Sequence, residues 1–172
     1  MNPEISPLMS DYNSNHDSGH EIEVLWDADH EDDDPEPEHL ARWAESILKY
    51  QQATACEVAI KVVNAEESQA LNSQYRQKDA PTNVLSFPLD GGQPASVLLL
   101  GDLALCAPVV RAEALQQSKS LHSHYAHMVV HGVLHLLGFD HVESGEAEEM
   151  EQIEREILHT MGFSDPYLEV GS

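Results

Sequence analysis

Three histidines, His131, His135 and His141, stand at spacings that suit one divalent metal ion. Residues four apart on a helix share a face one turn from each other, so His131 and His135 can aim at a common point. Gly138 then predicts a stop. Glycine accepts the left-handed conformation that closes many helices, and the chain can double back so that His141 reaches the same point from outside. Three nitrogen ligands leave one tetrahedral corner open, as in a catalytic zinc site; structural zinc usually has all four positions filled by protein. Imidazole donors favour zinc over magnesium, so one Zn2+ per chain is expected.

His124 and His127 continue the stripe and raise the alternative of a ligand set shifted by one turn. His127 and His135 are separated by roughly 12 Å of helix rise, so one ion does not hold both with His131 between them. The Gly138 turn favours the later pair, and His124 and His127 are read as groups that support the ligands or the fold. Asp140, beside His141, is a candidate to orient a ligand imidazole. The histidine and glycine positions match the metzincin pattern H-E-x-x-H-x-x-G-x-x-H, except that Gly132 stands where those proteases carry their general-base glutamate. That absence argues against peptide hydrolysis. Gly132 also predicts an open floor, with room above the metal for a bulkier substrate such as a phosphodiester.

The elements that must position these residues are legible as periodicities. Glu21 to Trp26 alternates as a strand, with Ile22, Val24 and Trp26 on one side. After an acidic, proline-containing connection over Asp27 to Glu38, Pro37 suits a first helical turn. Leu40, Trp43, Ala44, Ile47 and Leu48 then form the stripe of an amphipathic helix. Val58, Ile60 and Val62 mark a strand. Asn64 with Glu67 resembles a capping box opening a helix to about Tyr75. A polar loop leads to a short strand over Val84 to Phe87, and a Gly91-Gly92 turn leads to a longer apolar strand over Val97 to Leu105. Helices follow from Pro108 to about Gln117, from Leu121 to Leu137 and from Ser144 to Met161. The middle one is apolar nearly all round outside its histidines and should be the buried centre. The last should bury Met150, Ile153, Ile157 and Met161. The fold class expected is α+β, a single mixed sheet of about four strands with about five helices and a zincin-like site at the end of the buried helix.

Composition bounds the setting. With 172 residues the chain can bury one core, expected from residue 20 to 172 behind a disordered polar leader over 1 to 19. Neither a long apolar run nor a basic-then-apolar leader is visible, and Cys56 and Cys106 lack a C-x-x-C spacing, so a cytoplasmic protein with reduced thiols and no membrane partner is expected. The net charge is −23, yet it is unevenly spread: residues 1 to 45 hold fourteen acids and one base, and residues 143 to 156 hold seven glutamates against Arg155. Both acidic blocks are read as a solvated tail and a solvated helix face. Between Glu57 and His141 the balance is eight acids to five bases, with Arg76 and Lys78 close together, so a local basic edge can survive.

Taken together, these residues resemble the YbeY family of bacterial endoribonucleases. The likeness rests on His131-Gly-Val-Leu-His135-Leu-Leu-Gly138-Phe-Asp-His141, on Tyr75-Arg-Gln-Lys-Asp-Ala-Pro-Thr-Asn-Val-Leu-Ser-Phe-Pro88, on Leu100-Gly-Asp-Leu and on Asp165-Pro-Tyr167. It covers most of the chain from about residue 20 onward, leaving outside it the polar leader and the acidic insert around Asp29 to Glu36. It implies a zinc ion held by His131, His135 and His141, and cleavage of single-stranded RNA in small-subunit rRNA maturation and ribosome quality control. It also implies functional weight on Arg76 and His131. Gln77, at a position often glycine in the family, is the mildest departure and bears on the conformation of its loop. The chemistry would use zinc as a Lewis acid on a phosphoryl oxygen or on bound water, with Arg76 clamping phosphate oxygens and Lys78 adding a point charge. Whether water or the RNA 2′-hydroxyl attacks stays open. Two further functions compete: a zinc hydrolase of another substrate, and a ribosome assembly factor with structural zinc whose acidic faces bind small-subunit ribosomal proteins.

Overall fold

The structure is a computed structural model that describes residues 19–89, 98–139 and 144–168. Along the chain run β1 (Glu21–Asp27), α1 (Pro37–Tyr50), β2 (Cys56–Val63), α2 (Ala65–Arg76), β3 (Val84–Pro88), β4 (Leu98–Cys106), α3 (Ala107–Gln116), α4 (Leu121–Leu136) and α5 (Ser144–Thr160). This is the expected order of strands and helices, and the class is α+β. The expected leader and the Gly91-Gly92 turn lie outside the described residues, apart from Gly19.

One sheet carries the strands in the order β1-β2-β4-β3. β1, β2 and β4 run parallel, and β3 pairs antiparallel with β4. Alternation sends Val58, Ile60 and Val62 of β2 and Leu103 and Leu105 of β4 into the core, where they meet Leu40, Ala44, Ile47 and Leu48 of α1. α4 is the central rod. It lies against α1, α3 and α5 and against β3 and β4, and it buries eleven of its sixteen residues, Tyr125, Val129, Val130 and Val133 completely. No described helix is long and apolar enough to cross a membrane.

Two glycines let α4 and the strands approach this closely. Gly101 has φ 149, and a Cβ there would stand 2.5 Å from the Phe87 carbonyl oxygen on β3; the register of β4 against β2 also slips at this point. At Gly132 a Cβ would meet Leu103 Cδ2 at 2.7 Å and Val84 Cγ2 at 3.3 Å. Residue 132 therefore faces the sheet. The expectation that Gly132 opens the floor of the site is overturned: its missing side chain is replaced by Leu103, and the site owes its room to other residues.

The acidic segments are less uniformly solvated than composition suggests. Asp34, in the insert between β1 and α1, is 3% exposed and takes Arg111 Nε at 3.0 Å and Nη2 at 2.6 Å, while Arg111 Nη2 also donates to the Asp29 carbonyl at 2.8 Å. A two-pronged guanidinium contact of this kind pins the insert to α3. Asn64 precedes α2, but its side chain makes no capping bond; Glu67 is drawn instead to Lys61 Nζ at 2.8 Å.

Candidate functional site

α4 carries the two described ligand candidates, and its ends are well defined. Ser120 caps it, accepting the Ser123 N–H at 3.1 Å. At the other end Gly138 (φ 102) donates to the His135 carbonyl at 3.0 Å, and Phe139 donates to the Leu134 carbonyl at 3.0 Å. These are the paired bonds of a Schellman closure, so the stop falls at Gly138 as expected.

One turn apart, the His131 and His135 rings have centroids 4.6 Å apart and Nε2 atoms 3.2 Å apart. Two corners of a tetrahedral zinc with Zn–N bonds of about 2.0–2.1 Å are about 3.3–3.4 Å apart, so this pair fits one ion. His141 and Asp140 lie outside the described residues. Among the described residues no group of three ligating side chains converges.

The His131 ring is aimed by a residue that motif reading missed. Glu154 of α5 is completely buried, and its Oε2 accepts His131 Nδ1 at 2.7 Å. Its Oε1 accepts His127 Nε2 at 3.0 Å and the Tyr167 hydroxyl in a very short bond. Burial pushes the Glu154 carboxyl up, but the hydrogen bonds from His127 and His131, with Tyr167 adding to them, prevail and hold it down to about 2. An ionised carboxylate only accepts. His131 must therefore donate from Nδ1, which turns Nε2 toward the His135 side. Burial and the bond to Glu154 push the Tyr167 hydroxyl up, so it remains a donor. His127 thus has its Nε2 committed to the same carboxylate that holds His131.

His124 has a comparable role, a turn earlier on α4. Its Nε2 meets Glu113 Oε1 at 2.9 Å, and Glu113 also accepts Asn83 Nδ2 at 3.0 and 3.2 Å. Burial lowers the His124 pKa in spite of Glu113, which favours the neutral ring. The contact links α4 to the loop before β3.

Facing His131 and His135 across a cleft of ≈ 450 Å³ are Arg76 and Lys78. Arg76 ends α2, with Nη2 donating to the Ser86 carbonyl at 2.7 Å, Nη1 donating to the Tyr75 carbonyl at 3.3 Å, and the guanidinium 5.5 Å from the Phe87 ring centre. Ser86 in turn donates to the Gly132 carbonyl at 3.3 Å, tying the Arg76 side to α4. Gln77 follows in the left-handed conformation (φ 58, ψ 34), turning the chain so that Lys78 N–H meets the Asn72 carbonyl at 3.2 Å. Asn72 Nδ2 holds the Ala80 carbonyl at 2.8 Å, and Ser68 Oγ exchanges bonds with the N–H and carbonyl of Thr82. Asp79 accepts Gln69 Nε2 at 2.9 Å. Among the described residues, neither Arg76 nor Lys78 forms an ion pair, and no carboxylate lines the cleft.

The defining sequence pattern of the family described as Endoribonuclease YbeY matches residues 26–162. The chain belongs to the YbeY endoribonuclease family. It is 50% identical over 135 residues to the Endoribonuclease YbeY of Alteromonas mediterranea, across 78% of this chain and 85% of that one. Its fold is shared with the solution structure of TM1509 from Thermotoga maritima, at a TM-score of 0.53 and 23% identity over 86% of this chain and 99% of that one.

Proposed function

We propose that this chain is a zinc-dependent endoribonuclease that cuts single-stranded RNA, with small-subunit rRNA as its substrate in ribosome maturation and quality control. The observation that carries the reading is the composition of the cleft. In a chain with 31 acids, the one place where the two motif histidines face a basic loop has two cations and no described carboxylate on its walls. A polyanion can approach there without like-charge repulsion from the lining. Family membership and the activity named for the Alteromonas relative point the same way.

His131 and His135, with His141 completing the set, would hold the ion. When bound, zinc supplies Lewis acidity at the scissile phosphate. The chain's own residues do the rest. Glu154 keeps the His131 proton on Nδ1, so Nε2 is available for coordination. Arg76 has five N–H donors, and two are committed to backbone carbonyls; the remaining three can meet phosphate oxygens as negative charge builds on them. Lys78 adds a second positive charge to the same wall. Gly132 packs on Leu103, so the helical position that supplies the base in metzincins supplies nothing here, and peptide hydrolysis is disfavoured.

The test is cleavage of single-stranded RNA by zinc-loaded and chelator-treated protein beside a His131→Ala variant. Cleavage should require both the metal and His131. Cleavage that survives the loss of His131 overturns the assignment.

A further inference from the structure

Tyr167 lies 40 positions beyond His127, outside any helix, yet its hydroxyl reaches the carboxylate that holds His131. We propose that Tyr167 is a positioning residue for His131, acting through Glu154, and that Asp165 and Arg155 clasp Tyr167 in place. The proposal deepens the metal-site reading above and rests on it for the role of His131 as a ligand.

A glutamate's terminal torsion is soft and two-fold, so a carboxylate gripped by one donor can turn. Glu154 is gripped on both sides. His127 and Tyr167 share Oε1, which leaves Oε2 to His131 Nδ1 at 2.7 Å. Without the phenol, Oε1 keeps a single partner and the carboxylate loses one of the three donors that fix its torsion. His131 would then sample both tautomers, and in one of them Nε2 carries the proton and cannot ligate.

The tail is built to present that hydroxyl. α5 closes at Gly162 (φ 90), and the chain returns along it. The Tyr167 N–H donates to Asp165 Oδ1 at 2.8 Å, Asp165 Oδ2 meets Arg155 Nε at 3.2 Å, and the Arg155 guanidinium lies 5.0 Å from the centre of the Tyr167 ring. Arg155 follows Glu154 on α5, so adjacent residues of one helix hold the tyrosine, one at its hydroxyl and one at its ring. Simple packing does not explain the residue. Tyr167 is 36% exposed while the carboxylate it reaches is fully buried.

The experiment compares Tyr167→Phe, which removes one oxygen, with the wild type and with Tyr50→Phe, a control whose hydroxyl bonds Glu156 on the same helix at 3.2 Å. Imidazole nitrogen NMR on metal-free protein reads the His131 tautomer, and competition with a chelator reads zinc affinity. Loss of a direct partner of a ligand imidazole costs about 10–100-fold in affinity, so loss of the next group out should cost about 3–10-fold. Tyr167→Phe should also convert the ordered His131 Nδ1–H signal into that of a mixed tautomer, and Tyr50→Phe should change neither reading. Asp165→Asn, at the surface, should move both readings the same way by less, and it serves if Tyr167→Phe folds poorly. A folded Tyr167→Phe or Asp165→Asn protein with wild-type nitrogen shifts and wild-type zinc affinity overturns the proposal. A wild type that shows the ordered His131 proton but neither binds zinc nor cuts RNA supports the positioning and overturns the proposed function.

Discussion

On the α4 side of the cleft, His131 is aimed by a fully buried carboxylate, whereas on the α2 side Arg76 leans on two backbone carbonyls and an aromatic ring. The first bank uses charge where water is excluded, so each bond is strong and a missing partner is costly. The second uses neutral acceptors. A carbonyl can position a guanidinium without cancelling its charge, which a carboxylate would do. The difference suits the two tasks, since coordination needs ring placement good to fractions of an ångström and a polyanion needs an uncompensated cation.

Breaking the buried bank should have the largest effect. Glu154→Ala leaves the His127 and His131 N–H groups and the Tyr167 hydroxyl facing an apolar gap. Unfolding by denaturant should show a loss of roughly 3 kcal/mol or more, and zinc affinity should fall by about 10–100-fold. Acid sharpens the point. The folded-state pKa of Glu154, about 2, lies below its ordinary value of 4.5, so its contribution to the stability of metal-free protein is complete above 4.5 and fades as pH falls toward 2. The stability gap between wild type and Glu154→Ala should narrow over that window. A gap that stays constant would mean that the carboxylate acts by packing alone.

Breaking the exposed bank should leave the fold alone and strike only the chemistry. Arg76→Ala should retain the thermal midpoint and zinc affinity of the wild type while RNA cleavage falls by about 10²–10³-fold, the usual cost of one preorganised donor to a developing oxyanion. Cleavage at the wild-type rate would remove Arg76 from the mechanism. An intermediate effect is expected where the banks meet. At Gly132 a methyl group must displace Leu103, so Gly132→Ala should cost about 1–3 kcal/mol, read by denaturant unfolding. A neutral substitution there would show that the α4 contact with β4 is looser than the 2.7 Å approach indicates.

The same contrast separates what the sequence discloses from what it conceals. Exposed and motif-borne groups are legible: His131 and His135 are candidates from spacing, Arg76 and Lys78 from their closeness and from the family resemblance, and all four line one cleft. The order of strands and helices follows from apolar periodicity because tertiary burial does select those faces, as at Leu40, Trp43, Ala44, Ile47 and Leu48. Glu154 is hidden by its neighbours. As one of seven glutamates, it reads as part of a solvated face, although it lies four residues after Met150 and three before Ile157, both buried. An acid on an apolar stripe is a signal that composition drowns. Asp34 is hidden in the same way within its acidic insert, because its partner Arg111 lies 77 positions away. Gly132 misleads for a different reason: a missing side chain can mean open space or a close neighbour, and only packing tells which.

The smallest expected effect falls on the turn that follows Arg76. Gln77 sits at φ 58 and ψ 34, where a β-carbon costs about 1 kcal/mol. Gln77→Gly removes that strain but gives the unfolded chain more freedom, a penalty of about 0.4–1 kcal/mol. The two nearly cancel, so stability should change by no more than about 0.5 kcal/mol in thermal unfolding. Cleavage should be unchanged, because Gln77 does not line the cleft and the N–H bonds of the turn, including Lys78 to Asn72, survive the substitution. A loss beyond about 1 kcal/mol would show that the glutamine side chain itself holds the loop. Near-neutrality would show that the bank facing the substrate takes its shape from the backbone turn and the α2 side chains beneath it, leaving its charged groups to serve the ligand.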